Sequence, residues 1–261
     1  MANLNPKVSG KAWSRWAFVS AFFLVASMSW ASPPQLRIVY FEDFSPFCSG
    51  RGSTVKGIFV DMAKELGKRV GFDVTNYGYP WQRAQMMVRK GEADAFMTVA
   101  TPGRMEYVNA GSVPVLVDRN VAVTAKNNPL LSRLRAISSL ADAKKYRLVT
   151  YRGDDWAKDH LGDAQLEYVV TVQAAMQFIA DGRGDLMIED VFTLQKNIHD
   201  LHLDSKLELL PYSYETLKFV FCIRKTFDGG PALLGLIDAE LSKMREDGTM
   251  ARIFHDYGVN Q

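Results

Sequence analysis

The chain has 261 residues, with 31 lysines and arginines against 29 acids and 48% hydrophobic residues. This is ordinary globular composition, and a net charge of +2 gives no basic balance that would mark a nucleic-acid binder. The 2 cysteines and 4 histidines show no CxxC and no closed metal-site spacing, so neither a metal nor a cofactor is implied.

The N-terminus reads as a secretory signal peptide. Lys7, Lys11 and Arg15 form a basic region, residues 17–28 a short apolar run, and Ser29-Trp30-Ala31 sets small residues three and one before a cut after Ala31. The run is shorter than the roughly 20 residues of a membrane span; an uncleaved anchor is the alternative. The mature chain of about 230 residues suffices for one large domain or two modest ones. No later apolar run is long enough to span, so a soluble periplasmic protein is expected. In that oxidising compartment Cys48 and Cys222 either bridge or stay buried as free thiols.

Short apolar runs then alternate with helical patterns. Residues 36–41 (LRIVYF) read as a buried strand, and 58–70 as an amphipathic helix with Phe59, Met62, Ala63, Leu66 and Val70 on one face, stopped by Gly71. A strand over 73–77, a helix over 82–90 and strands over 95–99 and 120–125 follow, before Asn127-Asn128-Pro129 breaks the chain. A second series comprises strands over 147–151, 167–170 and 185–189, each followed by a helix, over 154–161, 172–180 and 191–198. Residues 217–223 (LKFVFCI) are a further strand and 231–245 a closing helix. Such alternation predicts parallel sheets flanked by helices. The two series echo one another. Gly91-Glu92-Ala93-Asp94 leads into a buried strand, and so does Gly182-Arg183-Gly184-Asp185.

Six motifs in order resemble those of the family 3 extracellular solute-binding proteins, which include amino-acid-binding proteins of ABC importers. Phe44-Ser45-Pro46-Phe47 is similar to the family's aromatic-x-Pro-Phe loop, and Gly57 to Ala63 (GIFVDMA) to its first helix start. Trp81, Gly91 and Asp94 resemble its W…G…D stretch, Thr101-Pro102-Gly103-Arg104 its T-P-x-R, Asp185 and Asp190 its D-x-x-x-x-D, and Asp247-Gly248-Thr249 its late D-G-T. Pro80-Trp81-Gln82-Arg83-Ala84 is similar to a less characterised branch. The resemblance implies a two-lobed α/β fold of the periplasmic-binding-protein kind, each lobe a mainly parallel sheet flanked by helices, with two strands crossing between them. Residues 32–122 and 214–261 would form lobe one and 123–213 lobe two. The crossings would lie over 116–124 and near 210–214.

Ligands of open α/β sheets bind beyond the carboxyl ends of the strands, which directs attention to Phe44, Trp81, Thr101, Arg104, Gly153 and Asp190. The resemblance makes Arg104 the grip for a carboxylate, since a guanidinium meets two oxygens with parallel hydrogen bonds. It gives an ammonium group to Asp190, whose other reading is the N-cap of the next helix; Glu189 is the neighbour that could take the role. Phe44 and Trp81 read as walls or as core packing, Phe47 as core, and Arg83 as cleft or surface. Gly153 precedes a helix start that could receive a carboxylate. Asp154 and Asp155 stand where the family has Ser or Thr, the interval from Asp94 to Thr101 is shorter than usual, and Val99 replaces a frequent hydroxyl. Polyamines, small peptides and other cations therefore join amino acids as candidate ligands.

The function expected is capture of a small polar ligand by hinge closure and its delivery, as a monomer, to a membrane permease or sensor, without catalysis. A periplasmic dehydratase on the same fold, drafting Glu42, Asp43, Asp154 or Glu189 as acid, and a receptor's sensing subunit are the alternatives.

Overall fold

The computed structural model describes residues 1–2, 33 and 35–259, so nearly all of the expected signal peptide and its cleavage point lie outside the described residues. The first series runs β1 (Gln35–Phe41), a small hairpin of β2 (Asp43–Phe44) and β3 (Cys48–Ser49), α1 (Ile58–Val70), β4 (Asp73–Tyr79), α2 (Trp81–Lys90), β5 (Ala95–Val99), α3 (Pro102–Met105) and β6 (Val108–Ala110). Strand β7 (Leu116–Ala125) leads out of it, through α4 (Leu131–Arg135) and α5 (Leu140–Ala143), to a second series. That series is β8 (Leu148–Tyr151), α6 (Asp155–Leu161), β9 (Leu166–Val169), α7 (Val172–Ala180), β10 (Met187–Asp190) and α8 (Val191–Asp200). Strand β11 (Leu207–Arg224) returns to the first series, and α9 (Gly230–Glu246) and α10 (Thr249–Asp256) close the chain. Residues Pro33–Gln261 form one compact unit.

The expected α1 appears over the predicted residues. Its periodic face buries Phe59, Met62, Ala63 and Leu66, each large side chain worth about 1.5–3 kcal/mol. Gly71 ends it in the left-handed conformation, its N–H donating to the Gly67 carbonyl.

The sheet is mixed rather than mainly parallel. In the first series β1 pairs in parallel with β4 and β5, and β5 then pairs antiparallel with β11. In the second, β8 pairs in parallel with β9 and bridges in parallel to Leu186 just before β10, and β10 pairs antiparallel with β7. The antiparallel member arises because β7 and β11 run in opposite directions between the series. They pair with each other from Leu116 opposite Phe219 to Ala125 opposite Leu207, with register shifts between Leu209 and Glu215. Pro211, which has no N–H to donate, lies within that irregular stretch.

The echo in the sequence is an echo in space. Asp94 accepts hydrogen bonds from the backbone N–H of Arg37 at 3.0 Å and from its Nε at 2.9 Å. Asp185 accepts the same two bonds from Arg147, both at 3.0 Å. Each arginine also reaches the carbonyl of the glycine that ends the preceding helix, Gly91 or Gly182. Both glycines have positive φ, 76° and 73°, the left-handed conformation that releases the chain into the strand. A third partner completes each clasp, Arg224 for Asp94 and Asn128 for Asp185. Cys48 and Cys222 are free and buried.

Candidate functional site

Where the two series face each other, the ends of β1, β5, β8 and β10 line a partly open cavity of about 50 Å³. Its walls are chiefly aromatic. Phe41 ends β1 and lies against Phe44 at 6.1 Å, Trp81 at 6.2 Å and, from the second series, Tyr151 at 5.1 Å between ring centroids. Trp156 and Phe219 add further rings, and Met97, Val99, Ile188 and Leu217 are among the aliphatic lining. The polar atoms that reach the cavity belong to Thr98, Arg104, Asn120, Asp154 and Glu189.

Arg104 is held before any ligand is considered. Thr101 caps the short helix α3 by accepting the Arg104 backbone N–H, and Pro102 starts it without an N–H to satisfy. The side chain, only 4% exposed, then donates from Nε to Gln85 Oε1 at 3.1 Å and from Nη1 to the Val99 carbonyl at 2.8 Å. Its guanidinium lies 5.3 Å from the Trp81 ring centre and pairs with Asp155 of the second series at 3.2 Å. Beside this pair, Gln85 Nε2 donates to the Gly153 carbonyl at 2.9 Å. Two polar contacts thus join the series at one rim of the cavity. At another, the backbone N–H of Val172 donates to Asp43 at 3.1 Å; burial pushes the Asp43 carboxyl up to about 6, against the hydrogen bonds it accepts.

The acids on the opposite wall differ in how they are satisfied. Asp154 caps α6, accepting from the Ala157 N–H and from the Thr150 hydroxyl; burial nonetheless raises its pKa. Glu189 accepts the Asp190 N–H through Oε1 at 2.9 Å, while its Oε2 is buried with no hydrogen-bond partner among the described residues. Burial, and then the Asp154 carboxylate nearby, push the Glu189 carboxyl up to about 8. Asn120 Oδ1 on β7 is likewise buried without a partner. Among the described residues no group of three or more His, Cys, Asp or Glu is placed to hold a metal ion.

Of the six residues singled out in the sequence, Phe44, Trp81 and Arg104 line the cavity and Thr101, Gly153 and Asp190 do not. Thr101 acts through the backbone of α3. Gly153 faces a wider groove outside the cavity and packs on α2, where a Cβ would stand 2.9 Å from the Gln82 nitrogen. Asp190 is fully buried and caps α8 through the Thr193 N–H at 2.8 Å; the acid at the cavity is Glu189, one residue earlier. Arg83 is exposed over the Tyr79 ring, and Phe47 is in the core. Phe41, Asn120, Tyr151 and Trp156 were not singled out. Phe41 and Tyr151 are the last residues of their strands, so reading the strand end itself, rather than the loop beyond it, would have found both.

Residues 36–260 match the family described as bacterial extracellular solute-binding proteins, family 3. The chain belongs to that family. Amino-acid-binding proteins recur among the solved structures it resembles. The arginine-, lysine-, histidine-binding protein ArtJ from Geobacillus stearothermophilus matches with a TM-score of 0.71 at 16% identity, over 87% of this chain and 96% of that one. The ancestral amino acid-binding protein AncCDT-1, a precursor of cyclohexadienyl dehydratase, gives 0.68 at 23% identity, over 85% and 95%. A histidine kinase sensor domain with similarity to periplasmic binding proteins gives 0.74 at 16%, over 88% and 98%. These likenesses establish the periplasmic-binding-protein fold. No curated protein matches the sequence. No helix among the described residues is long and apolar enough to cross a membrane.

Proposed function

We propose that this family 3 protein captures a small polar ligand, an amino acid or a related amine, in the periplasm, by closing two lobes over it, and presents the closed form to a membrane transporter. Lobe one is taken as 32–122 with 214–261 and lobe two as 123–213, hinged on β7 and β11. The observation that carries the reading is the cavity at the junction of the two series, where buried polar atoms without partners sit among aromatic walls. Unsatisfied buried acceptors are costly, and a ligand donor would relieve that cost. Because such a ligand touches both lobes only when they are shut, its binding shifts the population toward the closed form.

A thermal-shift screen over amino acids, monoamines, polyamines and small peptides tests this. A ligand at 100 times its dissociation constant should stabilise the protein by about 2.7 kcal/mol, and Trp81→Ala should lose most of the shift. A screen in which no class raises the melting temperature removes the reading. The resemblance to a kinase sensor domain supports a second partner, a membrane receptor; capture by a permease or by a kinase separates the two. One feature favours an enzyme instead: a carboxyl held protonated near neutral pH faces a guanidinium across the cavity. Turnover of prephenate or arogenate would reveal a dehydratase.

A further inference from the structure

Among the described residues the guanidinium of Arg104 is the one cationic group lining the cavity, and its Nε and Nη1 are already engaged. Asp155 neutralises it from across the cleft, Gln85 and the Val99 carbonyl accept from it, and the Trp81 ring lies 5.3 Å from it. A ligand carboxylate would meet a guanidinium whose charge Asp155 already balances, and would gain correspondingly less from it. The opposite wall carries the reverse imbalance. Glu189 is 7% exposed and Asn120 2%; Glu189 Oε2 and Asn120 Oδ1 each lack a hydrogen bond of good geometry among the described residues, although the Tyr151 hydroxyl stands close to Glu189. Much of the remaining lining is aromatic, and ring faces attract cations.

We propose that the cavity takes a cationic amine with an apolar body and no carboxylate, its ammonium donating to Asn120 Oδ1 and to Glu189 Oε2, which releases its proton to solvent as the cation enters, while Arg104 stays paired with Asp155. The inference rests on the ligand-binding reading above and narrows it to one chemical class. Phe41, Phe44 and Tyr151 would flank the body of the amine, and the three hydrogens of an ammonium match acceptors better than any neutral donor does. Asp155 is what makes the difference from a zwitterion site: it pairs with Arg104 from outside the cavity lining and leaves less positive charge for a ligand carboxylate.

Matched pairs that differ only by the α-carboxylate test the proposal by isothermal titration with the mature protein: 3-methylbutylamine against L-leucine, and 2-phenylethylamine against L-phenylalanine. Each amine should bind about tenfold or more tighter than its amino acid, the size of effect a lost or gained charged hydrogen bond produces. Glu189→Gln should weaken amine binding by about tenfold to a hundredfold, with the variant's own unfolding transition confirming that it folds. Asp155→Asn, which frees the guanidinium, should narrow the preference by improving the amino acids. Equal or tighter binding of the amino acids would overturn the inference while leaving the solute-binding reading intact. So would an amine-to-amino-acid ratio that Asp155→Asn does not move. If no amine binds, the inference also fails, and the broader screen decides the reading on which it rests.

Discussion

A carboxyl buried beside another carboxyl is the most costly single group in this cavity. Glu189 lies among Asp154, Tyr151 and Asp190, with Asp118 behind Asp190 and Arg104 across the cavity. In the unfolded chain its carboxyl ionises near 4.5, and in the folded protein it holds its proton to about 8. Between those values the native state binds more protons than the unfolded one, so stability falls as pH rises, and above 8 the whole cost is present. Glu189→Gln keeps the acceptor for the Asp190 N–H and removes the charge. The unliganded variant should therefore match the parent below pH 4.5 and melt higher above pH 8, by an amount on the order of a few kcal/mol. Melting curves across that range check it; a variant less stable than the parent at high pH would show that the ionised form is compensated in a way the surrounding groups do not reveal. This residue also shows where sequence reading ends. A motif selects Asp190, yet neighbouring residues of a strand point to opposite faces, so only one of Glu189 and Asp190 can face the cavity. The N-terminus of α8 takes Asp190 as its cap.

The longer helices were legible because their signals are local, whereas the short α3, α4 and α5 were not. The apolar period and the αL glycine of α1 are within one stretch of chain, and the structure reproduces them residue for residue. Strand β11 was half-legible. Its apolar end, 217–223, stood out, but the stretch with Glu208, Pro211, Ser213 and Glu215 carries no apolar run, and only pairing with β7 makes it a strand. The Arg–Asp clasps join the two kinds of information, since the Gly-x-x-Asp was visible and the arginine partner, far away in sequence, was not. Burial alone would raise the Asp94 and Asp185 carboxyls, but the guanidinium and backbone donors of Arg37 and Arg147 more than offset it, and both pKa values fall below 3.8. The stabilisation is present above that pH and is lost as the acids are protonated below it. Asp94→Asn and Asp185→Asn should each cost about 1–3 kcal/mol, because the arginines remain half exposed and water screens part of the attraction. That corresponds to a melting point lower by roughly 2–12 °C for a chain of this size. Each loss should shrink as the pH falls below 3.8; a loss independent of pH would assign the stability to shape rather than charge.

In the proposed closure the two series turn about the pair of strands that joins them, and Gly153 would set how far that rotation can go. The residue follows the end of β8, has φ 92°, and packs against the start of α2 so closely that a Cβ would stand 2.9 Å from the Gln82 backbone nitrogen and 3.1 Å from the Gln85 amide nitrogen. Its carbonyl accepts the Gln85 side chain, next to the Arg104–Asp155 pair. The duplication made two lobes readable from the sequence, but the contact between them was not, since nothing in the run from Tyr151 to Asp155 specifies that α2 will lie against it. Gly153→Ala should act mainly on closure. The left-handed backbone costs the folded chain on the order of 1 kcal/mol, a modest change in melting temperature. The added methyl meets backbone, which cannot move aside as a flexible side chain would, so the two faces must stop short of each other. The Gln85 and Arg104 contacts across the cleft then weaken together. Small-angle scattering of the variant should give a larger radius of gyration than the parent at saturating ligand, and ligand affinity should fall by about tenfold or more, because a ligand that reaches only one lobe gains only part of its contacts. A variant that closes and binds as the parent does would mean that the cleft shuts without this contact, and the rim formed by Gln85, Gly153, Arg104 and Asp155 would then have no part in holding it.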